Sequence, residues 1–319
     1  MERLRVAVIG VGYLGRFHAE KYAQMEGVEL RYVVDVDETR GRQVGEEVGA
    51  TFLRDYREIK DDIDAVSIVV PTQYHFEVAS FFLEKGVHCL VEKPITVHIE
   101  DAKRLIELAE GQGLVLQVGH LERFNPAILF LEEHVREPLF IEAHRLSGFK
   151  ERALDVDVIL DLMIHDIDLT LAFVDSDIEE IRAVGVPVLS DKVDIANARI
   201  MFENGCNANL TASRISLQSM RRMRIFQPGL YLSADCFEQK NLMVKADIGK
   251  PGGLGAIVPT PVSHEKRDIL FDELKDFVGC VLEGRAPKVD GRAGLKALSV
   301  AQDIKEEIEK RLDTYLRKK

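Results

Sequence analysis

The feature that most restricts how this chain can fold lies at its start, where residues 4–15 read LRVAVIGVGYLG. Val6, Ala7, Val8 and Ile9 form an unbroken apolar run, the pattern of a strand buried on both faces of a parallel sheet. Gly10, Gly12 and Gly15 then follow in G-x-G-x-x-G spacing, and Leu14, His18, Tyr22 and Met25 recur on one helical face. In a strand–turn–helix corner of this kind the first glycine permits the tight turn. The second lets backbone approach a pyrophosphate, and the third lets helix pack closely on strand. The helix start adds free N–H groups and the positive end of its dipole. The expected dinucleotide contacts are therefore Gly10, Gly12, Tyr13, Leu14 and Gly15. A second apolar run, 30–34, ends in Asp35, twenty residues after Gly15, where an acid accepts hydrogen bonds from adenosine ribose hydroxyls. Such an acid repels a 2′-phosphate, so NAD is expected over NADP. Arg40 and Arg42, close by in sequence, argue the other way.

Apolar runs at 6–9, 30–34, 51–53, 65–70, 87–92 and 114–118 alternate with amphipathic helical stretches, which predicts a doubly wound parallel sheet. Ligands bind such sheets at the carboxyl ends of the strands, and the residues there are unusually polar. Pro71 and Thr72 follow one strand, with His75 opening the next helix, and Glu92-Lys93-Pro94 follow another. Gly119-His120 end the last, before Glu122-Arg123-Phe124-Asn125-Pro126. A strand-end lysine beside a proline is poorly placed for a solvated helix face and well placed to point into a cleft. Its plainer reading is a surface lysine paired with Glu92.

At 319 residues the chain has room for two ordinary domains, expected at 1–122 and 123–319. A net charge of −12 argues against general nucleic-acid binding. Cys89, Cys206, Cys236 and Cys280 are scattered, with no C-x-x-C, which fits reduced thiols in a cytoplasm. The first strand begins at Leu4 and leaves no room for a signal peptide, and no apolar run approaches membrane-spanning length.

Past Pro126 short strands at 140–146, 181–188, 195–202, 206–212, 222–226, 231–236 and 242–245 predict an α+β domain on a mostly antiparallel sheet. The Gly/Pro-rich stretch 249–261 reads as a loop, and two amphipathic helices close the chain. Within 156–174, VDVILDLMIHDIDLTLAFV, an otherwise apolar helix carries Asp157, Asp161, His165 and Asp168 at spacings of four, four and three. Polar groups aligned on a buried helix need partners or a cleft. A histidine one turn after an aspartate suits an acid–base group held by its orienting carboxylate. The other readings are a satisfied structural histidine and a metal site built from the same stripe.

Taken together, G-V-G-Y-L-G, P-T-x-x-H at 71–75, E-K-P at 92–94 and R-F-N-P at 123–126 resemble the glucose-fructose oxidoreductase, inositol dehydrogenase and MocA family over essentially the whole chain. The resemblance implies an N-terminal Rossmann domain that binds NAD or NADP through the glycine turn, Asp35, Pro71, Thr72, His75, Glu92 and Lys93. It also implies a Lys93–Pro94 bond that is often cis, no metal, and a second domain whose open sheet face covers the active site and often builds homodimers or homotetramers. Asp161 and His165 match its D-x-x-x-H motif, so the expected catalytic set is Lys93, Asp161 and His165, with either Lys93 or His165 as the base. The stretches VGHLERFNPA and SRISLQSMRRMRIFQPGLYLSADC resemble members that oxidise UDP-N-acetylglucosamine at C3 ahead of an aminotransferase. The alternatives are a dehydrogenase of a free sugar or inositol and a non-catalytic NAD-binding sensor.

A sugar nucleotide needs an anion-binding patch. Arg214, Arg221, Arg222 and Arg224 cluster within eleven residues, and on a strand Arg222 and Arg224 share a face. With Arg123 and Asn125 they are the expected substrate contacts; the plainer reading is a surface strand whose arginines balance nearby acids.

Overall fold

The computed structural model describes residues 3–60, 62–149, 156–246 and 258–316. They form two compact units, 1–121 with 268–295, and 122–267 with 296–319.

The first unit is built on β1 (Leu4–Ile9), α1 (Tyr13–Gln24), β2 (Val28–Val34), α2 (Glu38–Val48), β3 (Thr51–Leu53), β4 (Ala65–Ile68), α3 (His75–Glu84), β5 (His88–Glu92), α4 (Ile99–Gln112) and β6 (Leu116–Gly119). The strands pair in parallel in the order β3-β2-β1-β4-β5-β6, so the winding reverses beside β1. Val6, Ala7, Val8 and Ile9 are buried, as are all four residues of β4, because helices cover both faces of the sheet. Along α1 the expected face is real: His18, Tyr22 and Met25 are buried, and the Tyr22 hydroxyl lies 2.8 Å from Ser67 Oγ on β4.

The second unit carries α5 (Pro126–His134), β7 (Phe140–Leu146), a π-helical turn (Ile159–Met163) leading into α6 (Ile164–Phe173), then β8 (Ile178–Val186), β9 (Ile195–Phe202), β10 (Asn207–Ser213), β11 (Met220–Gln227), β12 (Leu230–Asp235), β13 (Lys240–Lys245) and β14 (Val258–Ser263). Its eight-stranded sheet runs β14-β13-β12-β11-β7-β10-β9-β8, antiparallel except where β7 meets β10. Buried and unburied positions alternate along β7 and β9, the signature of a sheet with one covered face. Ile141, Ala143, Ala198, Ile200, Leu210, Met223 and Ile225 share a core with Ile128 and Leu131 of α5 and Met163, Ile164 and Ile167 near α6. The loop expected over 249–261 is corrected at its end. Residues 258–261 belong to β14, and 249–257 lie outside the described residues. Pro259 and Pro261 misled because proline cannot donate to a ladder; β14 is an edge strand, where that matters least.

The chain closes with α7 (Ile269–Glu283) and α8 (Gly291–Leu316). The division at 121/122 falls one residue from the expected boundary, but residues 268–295 belong to the first unit, where the sequence reading assigned everything after 122 to the second. Leu274, Phe277, Val278 and Cys280 enter the core with Tyr22 and Leu90, Lys21 pairs with Asp268 at 2.6 Å, and Val118 N–H donates to the Val289 carbonyl.

Candidate functional site

In the first unit the glycine turn sits where strand order reverses. Gly10 has φ +87°, a backbone that favours glycine, and a Cβ there would stand 2.6 Å from the Val69 carbonyl oxygen. A Cβ on Gly15 would be 1.8 Å from the Gly10 carbonyl oxygen, so that position sets how closely α1 meets β1. Gly12 differs: a Cβ there meets no protein atom within 4 Å. The space before the first turn of α1 is open, and the backbone of that turn borders it, as a pyrophosphate requires. Tyr13 flanks the turn, 70% exposed and edge-on to Phe17.

Asp35 ends β2 with its carboxylate buried and multiply held. It accepts from Val11 N–H and Asp37 N–H, each at 2.9 Å, and from Arg40 through Nε at 3.1 Å and Nη2 at 2.7 Å. Burial disfavours its charge, but Arg40 and the two N–H groups outweigh that and hold its pKa below the ordinary carboxylate range. The acid at the end of β2 thus has a half-exposed arginine already on it, while Arg42 pairs with Glu38.

Past β4, Pro71 is exposed, Thr72 opens a short 3₁₀ turn, and His75 turns inward. Its ring nitrogens lie 2.9 Å from the Val70 and Pro94 carbonyls, so His75 ties two strand-end loops together. Burial lowers its pKa. Lys93 follows β5, half-buried, with a cis bond to Pro94. Glu92 is buried, its Oε1 3.3 Å from His18 Nε2 and its Oε2 accepting the Lys93 N–H at 3.2 Å. The turn, Asp35 and these loops border the carboxyl ends of the strands and fit a dinucleotide.

In the second unit Asp161 lies within the π-helical turn and His165 near the start of α6, both half-buried. The turn's wider winding breaks the simple stripe expected from 3.6-residue periodicity. Asp157 instead caps the helix, accepting from Ile159 N–H and Leu160 N–H, and pairs with Lys305 at 2.8 Å. Asp168 is buried with Arg123 Nε at 3.7 Å. Asn125 caps α5 through the Ala127 N–H and donates to Glu122 and the Cys236 carbonyl, which fully engages its side chain.

Sequence reasoning missed the charged group beside His165. Asp166 forms a two-pronged pair with Arg145 at 2.9 and 3.1 Å, and Arg145 also donates to Glu122 at 2.9 Å. All three residues are buried. Burial alone would disfavour the Arg145 charge; Asp166 and Glu122 outweigh it and raise its pKa. The network fixes the turn of α6 that bears His165. Its only sequence signal was three ionisable residues at positions otherwise read as apolar or loop.

The arginines do not form one patch. Arg214 is buried, donating to Asp194 at 2.8 Å and to the Val156 carbonyl at 2.8 Å, so it serves as a strut for the approach to α6. Arg221 turns to the covered face and reaches Glu122 at 3.3 Å. Arg222 and Arg224 share the other face as expected, paired with Asp235 at 3.3 Å and Glu142 at 2.6 Å. Among the described residues no three His, Cys, Asp or Glu side chains gather as a metal site requires, and no helix is long and apolar enough to cross a membrane.

Residues 4–120 match the family model described as "Oxidoreductase family, NAD-binding Rossmann fold", and residues 131–227 match "GFO/IDH/MocA C-terminal domain". The chain belongs to the GFO/IDH/MocA oxidoreductases. Among family members, the UDP-N-acetylglucosamine 3-dehydrogenase of Acidithiobacillus ferrooxidans is 41% identical over 310 residues, covering 97% of this chain and 98% of that protein. Its solved structure superposes with a TM-score of 0.90 at 40% identity, covering 97% and 99% of the two chains. The myo-inositol 2-dehydrogenase of Thermotoga maritima is 26% identical over 332 residues, 98% of each chain. A myo-inositol 2-dehydrogenase structure from Lactobacillus plantarum, at 20% identity and TM-score 0.82 over 97% and 98% of the two chains, shares the fold.

Proposed function

We propose that this protein is an NAD-dependent dehydrogenase that oxidises the C3 hydroxyl of a UDP-N-acetylhexosamine. The observation that carries this reading is the 41% identity to a UDP-N-acetylglucosamine 3-dehydrogenase over 97% of this chain and 98% of that protein. The inositol dehydrogenase that matches at comparable length is only 26% identical. NAD held by the glycine turn and Asp35 would supply the acceptor for the hydride of the carbinol carbon. His165 takes the hydroxyl proton on its imidazole, and Asp161 orients the ring and stabilises the imidazolium. Lys93 holds the substrate oxygen and stabilises its developing negative charge. Asp35, charged and aimed by Val11 and Asp37, favours NAD over NADP. Arg222 and Arg224 are the candidates to meet the diphosphate, by exchanging their carboxylate partners for it. The product is a 3-keto sugar, the substrate class of an aminotransferase.

The test is steady-state turnover of UDP-N-acetylglucosamine, free sugars and inositols with NAD and with NADP. His165→Ala should lose on the order of 10²–10⁴ in turnover with NAD affinity retained. Asp161→Asn should act through the same ring, so the double variant should lose far less than the product of the single losses. A His165→Ala enzyme with near-normal turnover beside an inactive Lys93→Met enzyme would move the base to Lys93. Turnover confined to inositol or free sugars would sink the nucleotide-sugar assignment.

A further inference from the structure

Beneath the loop that bears Lys93 lies a buried acid–imidazole pair with no evident stabilising purpose. His18 comes from α1 and is fully buried; Glu92 comes from the end of β5, and its side chain is 7% exposed. The carboxylate lies against the backbone of β6, because Glu92 is in register with Gly119 and a Cβ on Gly119 would stand 2.9 Å from its Oε1. One carboxylate oxygen is 3.3 Å from His18 Nε2, and the other accepts the Lys93 N–H at 3.2 Å. Removing such a charge from water is costly, and an apolar pair of similar size would often serve stability as well or better.

A second acid sharpens the point. Glu273 of α7 is fully buried, and neither carboxyl oxygen has a hydrogen-bond partner among the described residues. Burial, reinforced by Glu92 and Asp276, pushes its pKa well up. Burial also opposes the charge of Glu92, but His18 and then Lys93 outweigh it and hold its pKa down. Of the two acids, Glu92 is thus the one whose charge its surroundings favour, and it is the acid next to Lys93.

We propose that His18 and Glu92 are positioning residues for Lys93: the carboxylate, wedged between the imidazole and the Gly119 backbone, clamps the Lys93 peptide N–H and sets a fixed negative charge beside its ammonium group. His75 holds the same loop from its other side through the Pro94 carbonyl. This rests on the reading that Lys93 acts on the substrate oxygen. It adds that Lys93 depends on a carboxylate that need not touch substrate itself.

The test uses the full-length enzyme with NAD and UDP-N-acetylglucosamine. Glu92→Gln keeps the side-chain size and removes the charge; Glu92→Asp keeps the charge. Glu92→Gln should lower kcat about tenfold to a hundredfold while the KM for sugar nucleotide moves less than about threefold, and Glu92→Asp should recover part of the loss. On a Lys93→Met background Glu92→Gln should add less than about a twofold loss, because the residue it serves is gone. Exchange of the Lys93 amide hydrogen, followed by NMR, should quicken by about tenfold or more in Glu92→Gln. His18→Gln should reproduce both effects in weaker form, and carries the comparison should Glu92→Gln fail to fold. Wild-type kcat in Glu92→Gln, an equal fractional loss with and without Lys93, or unchanged Lys93 amide exchange would overturn the proposal. If Lys93→Met itself turns over normally, the functional reading of Lys93 fails, and amide exchange alone then decides whether Glu92 holds this loop.

Discussion

At the scale of single residues, Gly12 and Gly15 look interchangeable in the motif and are physically opposite. A methyl group on Gly15 would overlap the Gly10 carbonyl oxygen at 1.8 Å, so α1 would have to move away from β1. A methyl group on Gly12 meets nothing in the protein, and its φ of −65° is open to any residue. On the proposed function it would occupy the space that the pyrophosphate needs. Gly12→Ala should therefore keep the wild-type melting temperature and weaken NAD binding by at least about tenfold, or 1.4 kcal/mol. Gly15→Ala should lose both stability and binding. Thermal melts paired with NAD titrations separate the two, and NAD affinity retained in Gly12→Ala would remove the pyrophosphate from this turn.

At the scale of elements, α7 carries a titratable cost into the first unit. Folding pushes the Glu273 pKa well above the usual carboxyl range, whereas the unfolded chain releases that proton as a free glutamate does, at about pH 4.3. Above that pH the native state binds more protons than the unfolded state, so this group makes stability fall as pH rises until its folded pKa is passed. Glu273→Gln removes the proton linkage. Its melting temperature should decline less than that of the wild type from pH 5 to pH 8, with the two closest at the acid end. Parallel curves would mean that Glu273 does not hold its proton. The π-helical turn before α6 is the other element-scale feature: it leaves Asp157 to cap the helix while Asp161 and His165 stay half-buried.

At the scale of the whole molecule, the first unit is discontinuous in sequence. Leu274 and Phe277 are fully buried and Val278 nearly so, and each such side chain is worth roughly 1.5–3 kcal/mol of burial. Their sum rivals the total stability of an ordinary domain, about 5–15 kcal/mol. A fragment of residues 1–121 should accordingly show neither a cooperative melt nor NAD binding, and appending 268–295 through a Gly/Ser linker should restore both. Cooperative folding of 1–121 by itself would show that α7 is dispensable.

The local features of this protein were legible in its residues. A strand buried on both faces announces itself as an apolar run, a tight strand-to-helix turn by glycine spacing, and the ends of parallel strands by Pro71, Lys93 and Pro94, because each depends on neighbours within a few positions. The strands at 140–146 and 195–202 were likewise legible as strands, while the face that each one buries came from the structure. What the sequence could not decide was where each polar group finds its partner. Arg214 and Arg222 look alike in the chain, yet one is a buried strut on Asp194 and the other lies on the open face of β11. His18 reads as one more residue on the buried face of α1, and Asp166 as part of an apolar helix, until tertiary contacts place Glu92 and Arg145 against them. The return of 268–295 to the first unit, and β14 with its two prolines at a sheet edge, have the same origin. Burial and pairing depend on distant segments, and only the packed chain determines which segments meet.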